Sequence, residues 1–468
     1  MHDLRKKALL ESGKTQSRKA RSKPDAPRST GHLSPNESPG NSRPGSTANS
    51  RAGSRANSRP GSRYASEDEG AASDSEVDDV MTMSTNSASG EDALDGGDAS
   101  NTWVERLQGR LVELQDRKRS LQSRESTLVS YLHLLRHHFT QRQIDKSVSD
   151  ILPALLRSIR SGTSEEERST AIKALTVTIL TAPSETVYDH VFATLKAACE
   201  EAEEESIKVE AIHALGIAVT CGGGSASAAE EMLDFLIEII ESDGQAVGAG
   251  DNGAVVTAAL QAWAFVASHM DDLVEQSENA MEVFMEQLDS TDPEVQTSAG
   301  SNIALLFEAA RDYEEETGEK VNLQYNQHRI MNRMAEIVRD SSKAVSKKDR
   351  KHLRSNFSSI VTSLERGKGP GYSTAGRGAS NPHTGGSKMD QGGGHDGEFQ
   401  EFGYREKIRI HNQFMVIDTW SLHARVELLK LLLGGGLVTH WMENPTVRDI
   451  LDSASVEYLA STSERKRW

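Results

Sequence analysis

The chain has 468 residues, of which 36% are hydrophobic and 5% aromatic, and its formal net charge is −17. This apolar fraction lies below the roughly 45–50% of packed globular chains, so we expect part of the chain to remain unfolded. Two cysteines exclude a disulfide framework, no apolar run reaches the ~18 residues of a membrane span, and the N-terminus lacks the apolar core of a signal peptide, so we expect a soluble intracellular protein.

Residues 1–100 are predicted to form a disordered arm, because they are rich in Ser, Arg, Gly and Ala and contain few residues that could build a core. The arm begins basic, with 14 Lys and Arg against 4 Asp and Glu in residues 1–63, and continues acidic, with 11 acids and no Lys or Arg in residues 64–100. Its repeated Ser-Arg pairs fit either a phosphorylatable segment that contacts RNA through arginine or a plain solvated linker. An acidic residue lies three positions after each of the candidate phosphorylation sites Ser66, Ser73 and Ser75.

Residues 103–139 are predicted to form one long helix or a broken pair of helices. Leucine or phenylalanine occupies eight of ten positions that alternate in steps of four and three between residues 107 and 139, and Lys118 and Glu125 interrupt the series. These interruptions favour packing of the second half onto the helices that follow, rather than self-association as a coiled coil.

Residues 144–311 contain an internal repeat. Four related strings occur: AIKAL at 171–175, AIHAL at 211–215, ALQAW at 259–263 and AGSNI at 299–303. Their spacing of 40, 48 and 40 residues is typical of armadillo or HEAT repeats, and the eight extra residues fit a Gly-rich loop at 243–253. We therefore predict a mainly α fold, an armadillo/HEAT-like α-solenoid over residues 103–366.

The solenoid is predicted to be strongly acidic, since residues 163–320 hold 33 Asp and Glu against 6 Lys and Arg. One interpretation is a surface that binds basic protein partners. The other is that the acids lie on solvated loops and keep the protein soluble.

Residues 343–371 reverse the sign of the charge and are predicted to form a basic amphipathic helix. Six basic residues fall within twelve positions: Lys343, Lys347, Lys348, Arg350, Lys351 and Arg354. This cluster fits contact with the phosphate backbone of RNA, a nuclear import signal, or an ordinary solvated helix end. The glycines of residues 367–398 follow no strand and lack a Gly-Lys-Ser/Thr element, so we interpret this segment as a flexible linker.

Residues 399–460 are predicted to form a small α/β module. The segments EKIRI and QFMVID read as two strands joined by a tight turn at His411-Asn412, and TWSLHARVELLKLLLGGG reads as a helix stopped by glycine. WMENPTVRDILDSA indicates one more short helix. The run Gly434-Gly435-Gly436 is explained more simply as a helix C-cap than as an anion site.

The helical repeats followed by SKKDRKHLRSNFSSIV, FGYREKIRI, IDTW and LLKLLLGGGLVTHWMENPTVRDIL resemble the interferon-related developmental regulator family over roughly residues 110–455. The resemblance implies a non-enzymatic regulator of gene expression. It also implies nuclear transcriptional co-regulation or, as in some members, ribosome binding and translational control.

Two functions follow from these observations. In the first, the acidic solenoid holds protein partners while the basic helix and the C-terminal module contact ribosome or RNA. In the second, the protein is a purely nuclear co-regulator that bridges chromatin-modifying complexes without touching nucleic acid, and the basic cluster is its import signal. Under both we expect no enzyme activity, cofactor, metal, small-molecule substrate or membrane contact, and a location in nucleus and cytoplasm.

Overall fold

The structure is a computed structural model, and it describes residues 99–270, 272–318, 321, 326–340, 347–372 and 406–458. All of them belong to one compact unit of the chain, Ser73–Trp468. Among the described helices, none is both long enough and apolar enough to cross a bilayer.

The described residues before the linker form helices that pack in consecutive pairs. In chain order the helices are α1 (Ala99–Gln115), α2 (Leu121–His137), the short α3 (Gln141–Ile144), α4 (Val148–Ser161), α5 (Glu165–Thr181), α6 (Val187–Glu201), α7 (Glu205–Cys221), α8 (Ala226–Glu241), α9 (Gly253–Ala267), α10 (Val274–Gln287), α11 (Pro293–Thr317), α12 (Gln327–Asp340) and α13 (Lys347–Arg366). The pairs are α1/α2, α4/α5, α6/α7, α8/α9, α10/α11 and α12/α13. The second members of the pairs, which we call the B layer (α2, α5, α7, α9, α11 and α13), each contact the next one along the chain. The prediction of an α-solenoid is confirmed.

The repeated strings explain why the B layer stacks closely. Each string starts at the seventh residue of a B-layer helix, at Ala171, Ala211, Ala259 and Ala299, and all four alanines are fully buried. A small methyl group at the same place in these four helices lets neighbouring helices approach closely. The eight extra residues of the 48-residue spacing lie in the loop between α8 and α9, as predicted.

That longer loop is held by a buried lysine. The Lys208 side chain is 2% exposed, and its Nζ donates hydrogen bonds to the carbonyl oxygens of Cys199, Glu200 and Val247. The first two oxygens end α6 and the third lies in the loop, so the ammonium group ties the loop to a helix C-terminus. Burial lowers the pKa of Lys208.

Polar side chains fix the ends and the register of the repeats. Asp292 caps α11, because its carboxylate accepts hydrogen bonds from the backbone N–H groups of Glu294 and Val295 at 2.8 and 3.4 Å. Between α2 and α5, Arg124 donates two hydrogen bonds to Glu167, at 2.7 and 2.9 Å. This bidentate geometry selects one register between the two helices.

The heptad region is a broken pair. It divides into α1 and α2 at residues 116–120, where the interrupting Lys118 lies exposed, and α2 packs onto α5. Leu107 and Leu128 of the series are buried in the core that continues into the repeats. The preference for packing within the chain therefore agrees with the structure.

Residues 406–458 form a three-stranded antiparallel sheet and three helices. The elements are β1 (Glu406–Ile410), β2 (Gln413–Ile417), α14 (Trp420–Leu433), α15 (Leu437–Glu443), α16 (Pro445–Ile450) and β3 (Ser455–Tyr458), and the sheet order is β1-β2-β3. The β1–β2 turn is confirmed at His411-Asn412, where His411 has a φ of 51°. Neither β3 nor α15 was predicted from the sequence. The single short helix predicted from WMENPTVRDILDSA corresponds to α16, which Asn444 caps and Pro445 begins.

Candidate functional site

The basic helix predicted from the sequence is α13, and its apolar side faces the core. Leu353, Phe357, Ile360 and Leu364 are buried at spacings of four, three and four residues, which is one face of a helix. A Cβ atom added at Gly300 of α11 would lie 2.9 Å from the Phe357 ring, so glycine at that position allows α13 to pack closely. The polar side of α13 is consequently turned away from the stack.

The six predicted basic residues do not all fall in the described part of the chain. Lys343 lies outside the described residues, and Lys347, Lys348 and Lys351 lie in the first two turns of α13, with side chains outside the described part. Arg350 is half-buried and Arg354 is exposed. The candidate phosphorylation sites, Ser66, Ser73 and Ser75, also lie outside the described residues.

Helix α12, which was not predicted as part of the basic surface, adds cations to the pair α12/α13. Ile330, Met334 and Ile337 of this helix are buried, while Arg329 and Arg339 are exposed. The signal was available, because residues 327–354 hold nine Lys and Arg against three Asp and Glu.

The body of the stack has the opposite electrostatic character. From residue 209 to residue 310 the chain contains 18 Asp and Glu and no Lys or Arg. Many of these acids are exposed on α8 and α10, two helices that contact each other: Glu230, Glu231, Asp234, Glu238, Glu241, Glu278, Glu282 and Glu286. The sign of the charge thus changes between two neighbouring parts of one solenoid.

The C-terminal helices lie against the ends of the B-layer helices. We call residues 420–451, which include α14, α15 and α16, the strap. His440 donates a hydrogen bond to the Leu135 carbonyl oxygen at 2.8 Å, and Asn444 donates one to that of Leu180 at 3.0 Å. Those oxygens belong to the last turns of α2 and α5 and have no partner within their own helices. The strap therefore satisfies helix ends in separate repeats.

Further along the stack, Arg425 and Trp420 make the same kind of contact. The Arg425 guanidinium donates to the carbonyl and hydroxyl oxygens of Ser268, which ends α9. The Trp420 indole N–H donates to the hydroxyl oxygen of Ser363 in α13 at 2.9 Å. The strap thus reaches from the first helix pair to the last.

The glycine run after α14 serves this contact. Gly434 caps α14, as predicted. A Cβ atom at Gly436 would overlap the carbonyl oxygen of Arg136 at the end of α2. The run therefore permits close approach of two backbones, which agrees with the cap interpretation and not with an anion site.

A buried carboxylate anchors the start of the strap. Glu308 of α11 is 9% exposed, and its two oxygens accept hydrogen bonds from the backbone N–H groups of Trp420 and Ser421 at 2.7 and 2.9 Å. Burial raises the pKa of Glu308 to about 7 against the opposing effect of these two bonds. Both oxygens accept hydrogen bonds at the N-terminus of α14, so Glu308 holds the start of the strap.

One cluster in the C-terminal module has the side chains of a metal site but the contacts of an ion-pair network. The ligand atoms of Glu406, His423 and Glu427 lie within 4.8 Å of one another. The Lys430 ammonium group is 2.6 Å from Glu427 and 3.5 Å from Glu406, and His423 Nδ1 is 2.9 Å from Glu406. Burial opposes ionisation of Glu406, but His423 and Lys430 outweigh it and lower its pKa to about 2. Lys430 and His423, whose pKa is raised by Glu406, together offset the charge of the two carboxylates, so this arrangement does not favour a cation.

Three comparisons with known proteins can be set beside this geometry. Residues 78–365, more than half of the chain, match the model of a family described as Interferon-related developmental regulator (IFRD). The chain is also similar to an uncharacterised protein of Schizosaccharomyces pombe, with 24% identity over 381 residues that cover 78% of each chain. It is similar to Interferon-related developmental regulator 2 of Mus musculus, with 25% identity over 201 residues that cover 42% of this chain and 36% of the mouse protein. The match to the family model includes all six helix pairs and ends before the strap.

Proposed function

The chain belongs to the interferon-related developmental regulator family, and on that premise we propose that it regulates gene expression as a non-enzymatic helical-repeat scaffold that associates with ribosomes or RNA through α13. Membership of the family indicates a regulatory role in gene expression, and the proteins of this family and fold are generally non-enzymatic regulators. Ribosome or RNA association is our proposal for how this chain exercises that role.

The observation that carries the proposal is the reversal of charge along the stack. A stretch of 102 residues without Lys or Arg, 209–310, precedes the pair α12/α13, where nine Lys and Arg stand against three Asp and Glu in residues 327–354. Phosphate backbones attract clustered Lys and Arg and are repelled by clustered carboxylates. An RNA partner would thus be directed to the last helix pair.

The acidic body of the stack supports the proposed role as a scaffold, which would hold basic protein partners. The exposed acids of α8 and α10 are spread over two packed helices. Such a surface steers oppositely charged partners and sets their orientation. Ribosomes present both RNA and basic proteins, so a scaffold with one basic end and an acidic body suits them.

Sedimentation of cell extract through a sucrose gradient tests this proposal. The test variant carries Lys347→Glu, Lys348→Glu, Arg350→Glu and Lys351→Glu in the full chain. The matched control changes four exposed basic residues at the other end of the stack, so the net charge is the same: Arg117→Glu, Lys118→Glu, Arg142→Glu and Lys146→Glu.

We expect the unaltered protein and the control to travel with ribosomes and the test variant to remain at the top of the gradient. If the unaltered protein does not travel with ribosomes, the ribosomal proposal is wrong. The rival function predicts instead that the test variant leaves the nucleus while RNA binding is absent in every variant, because the cluster would then be an import signal. Fluorescence microscopy of the same variants distinguishes these outcomes.

A further inference from the structure

The last helix pair presents exposed arginines that the ribosome test above leaves unchanged, and one of them, Arg354, ends the basic cluster. Arg329 is exposed on α12, and Arg354 and Arg366 are exposed on α13. The Gln327 side chain donates a hydrogen bond to the carbonyl oxygen of Leu364, so the start of α12 lies beside the end of α13. Arg329 and Arg366 are therefore at the same end of the pair. We call these three arginines the terminal arginine set.

The guanidinium groups of this set are not committed to partners within the described part of the chain. Arg333 of the same helix differs, because it pairs with Asp289 of the preceding repeat and with Glu336. The arginines that join other repeats also have acidic partners, as Arg124 has Glu167. A guanidinium group that is exposed and uncommitted can bind a phosphate group through two parallel hydrogen bonds.

The shape of this surface indicates which nucleic acid it fits. Proteins that bind single strands stack the bases on aromatic side chains. α12 and α13 contain one Phe, Tyr or Trp between them, Phe357, and its side chain is fully buried. His328 is the exposed ring that the described residues of this pair offer. A surface that is rich in guanidinium groups and poor in aromatic rings suits a double helix, whose bases are already stacked and whose phosphates face outward.

Length and charge support the same partner. α13 has 20 residues, and at about 1.5 Å per residue it extends about 30 Å, which allows it to reach several phosphates at once. The adjoining acidic stretch, residues 209–310, repels nucleic acid, which directs binding within the repeats toward the last pair. Contacts to phosphates alone carry no sequence information.

We propose that α12 and α13 together bind the phosphate backbone of base-paired RNA without regard to sequence, through the terminal arginine set as well as the lysine-rich start of α13. This inference rests on the proposed function and specifies its RNA partner.

Fluorescence anisotropy with the full chain tests the inference. The probes are a 20-base-pair RNA duplex of mixed sequence and an oligo(U) strand with the same number of phosphates, each titrated at several KCl concentrations. The test variant is Arg329→Glu/Arg354→Glu/Arg366→Glu, and the control is Arg117→Glu/Lys118→Glu/Arg142→Glu, which changes the net charge equally. Circular dichroism melts check that both fold, and Arg→Gln at the same three positions replaces the test variant if the reversal prevents folding.

We expect the duplex to bind at least tenfold more tightly than oligo(U). We also expect the slope of log affinity against log salt to fall in magnitude by roughly 2 to 3 in the test variant, about one for each phosphate that the variant no longer binds. The control should keep the unaltered slope. Binding of oligo(U) as tight as that of the duplex, or an unchanged slope in the test variant, would overturn the inference.

The two proposals fail separately. If the protein binds duplex RNA through these arginines but does not travel with ribosomes, the ribosomal part of the proposed function is wrong. If it travels with ribosomes while the terminal arginine variant binds the duplex like the unaltered protein, the present inference is wrong. Binding of neither probe, with retained ribosome association, would overturn the inference as well and assign the ribosome interaction to ribosomal protein.

Discussion

Asn444 joins the strap to the repeats, and its replacement by alanine should destabilise the protein strongly. The side chain is fully buried. Its Nδ2 donates to the carbonyl oxygen of Leu180 at 3.0 Å, and its Oδ1 accepts from the backbone N–H of Thr446 at 3.0 Å, which caps α16. Asn444→Ala leaves a buried carbonyl oxygen without a donor, at a cost of about 1–3 kcal/mol. It also removes a helix cap, at a cost of about 0.5–2 kcal/mol.

We therefore expect Asn444→Ala to lower the free energy of unfolding by about 2–4 kcal/mol, against a total of about 5–15 kcal/mol for typical domains. Urea denaturation followed by far-ultraviolet circular dichroism measures the loss. Hydrogen exchange with mass spectrometry should show faster exchange in residues 406–458. The control Asn332→Ala removes the same group from an exposed position of α12 and should change the stability by less than about 0.5 kcal/mol. A loss in Asn444→Ala no larger than in this control would refute the reasoning about the strap.

Three further predictions concern the strap, the Glu406–His423 pair and the two thiols. Gly436→Ala should destabilise the protein, because its methyl group would overlap a backbone oxygen of α2, and thermal melting against the unaltered chain measures this. The Glu406–His423 pair should make the free energy of unfolding decrease at both low and high pH. Because the pKa of Glu406 is lowered, its stabilising contribution is lost as the pH falls below about 4.5 towards 2. Because the pKa of His423 is raised, its stabilising contribution is lost as the pH rises beyond 6.5. His423→Gln should flatten the alkaline part of that profile in urea denaturation, and an unchanged profile would contradict the assignment. Burial raises the pKa of Cys199 and of Cys221 to about 12 each, so both thiols should resist maleimide at pH 7.5 until urea unfolds the chain.

The repeats were predictable because their packing depends on short strings of residues that recur in the sequence. A buried alanine at the seventh position of four B-layer helices produces the 40, 48 and 40 spacing that the sequence displays. The cap of α11 is local in the same way, since Asp292 accepts from N–H groups two and three residues further along the chain. Such features depend on residues that are close in sequence.

The position of the strap was not predictable from the same patterns. His440 reaches an oxygen 305 residues away, and the acceptor is a backbone carbonyl group, which every residue possesses. The glycine run gave a signal for a cap at Gly434, but the need for Gly436 arises from a second helix that no local pattern reveals. β3 was missed because its four residues, Ser455–Tyr458, are mostly exposed and lack a clear apolar alternation.

Within the candidate site, the basic character of α13 was predicted from the sequence and that of α12 was not. The lysines and arginines of α13 are consecutive and dense, whereas those of α12 are separated by the buried Ile330 and Met334. Only the packing of the two helices brings their cations to one end of the stack.

Crosslinking to RNA in cells would show directly whether the pair α12/α13 binds RNA. Ultraviolet irradiation, digestion and mass spectrometry would locate the peptide of this protein that carries a nucleotide. If α12 and α13 bind RNA, we expect crosslinked peptides within residues 327–372 and none from the acidic stretch 209–310. Crosslinks confined to the acidic stretch, or no crosslinks above those of an irradiated control protein that does not bind RNA, would contradict it.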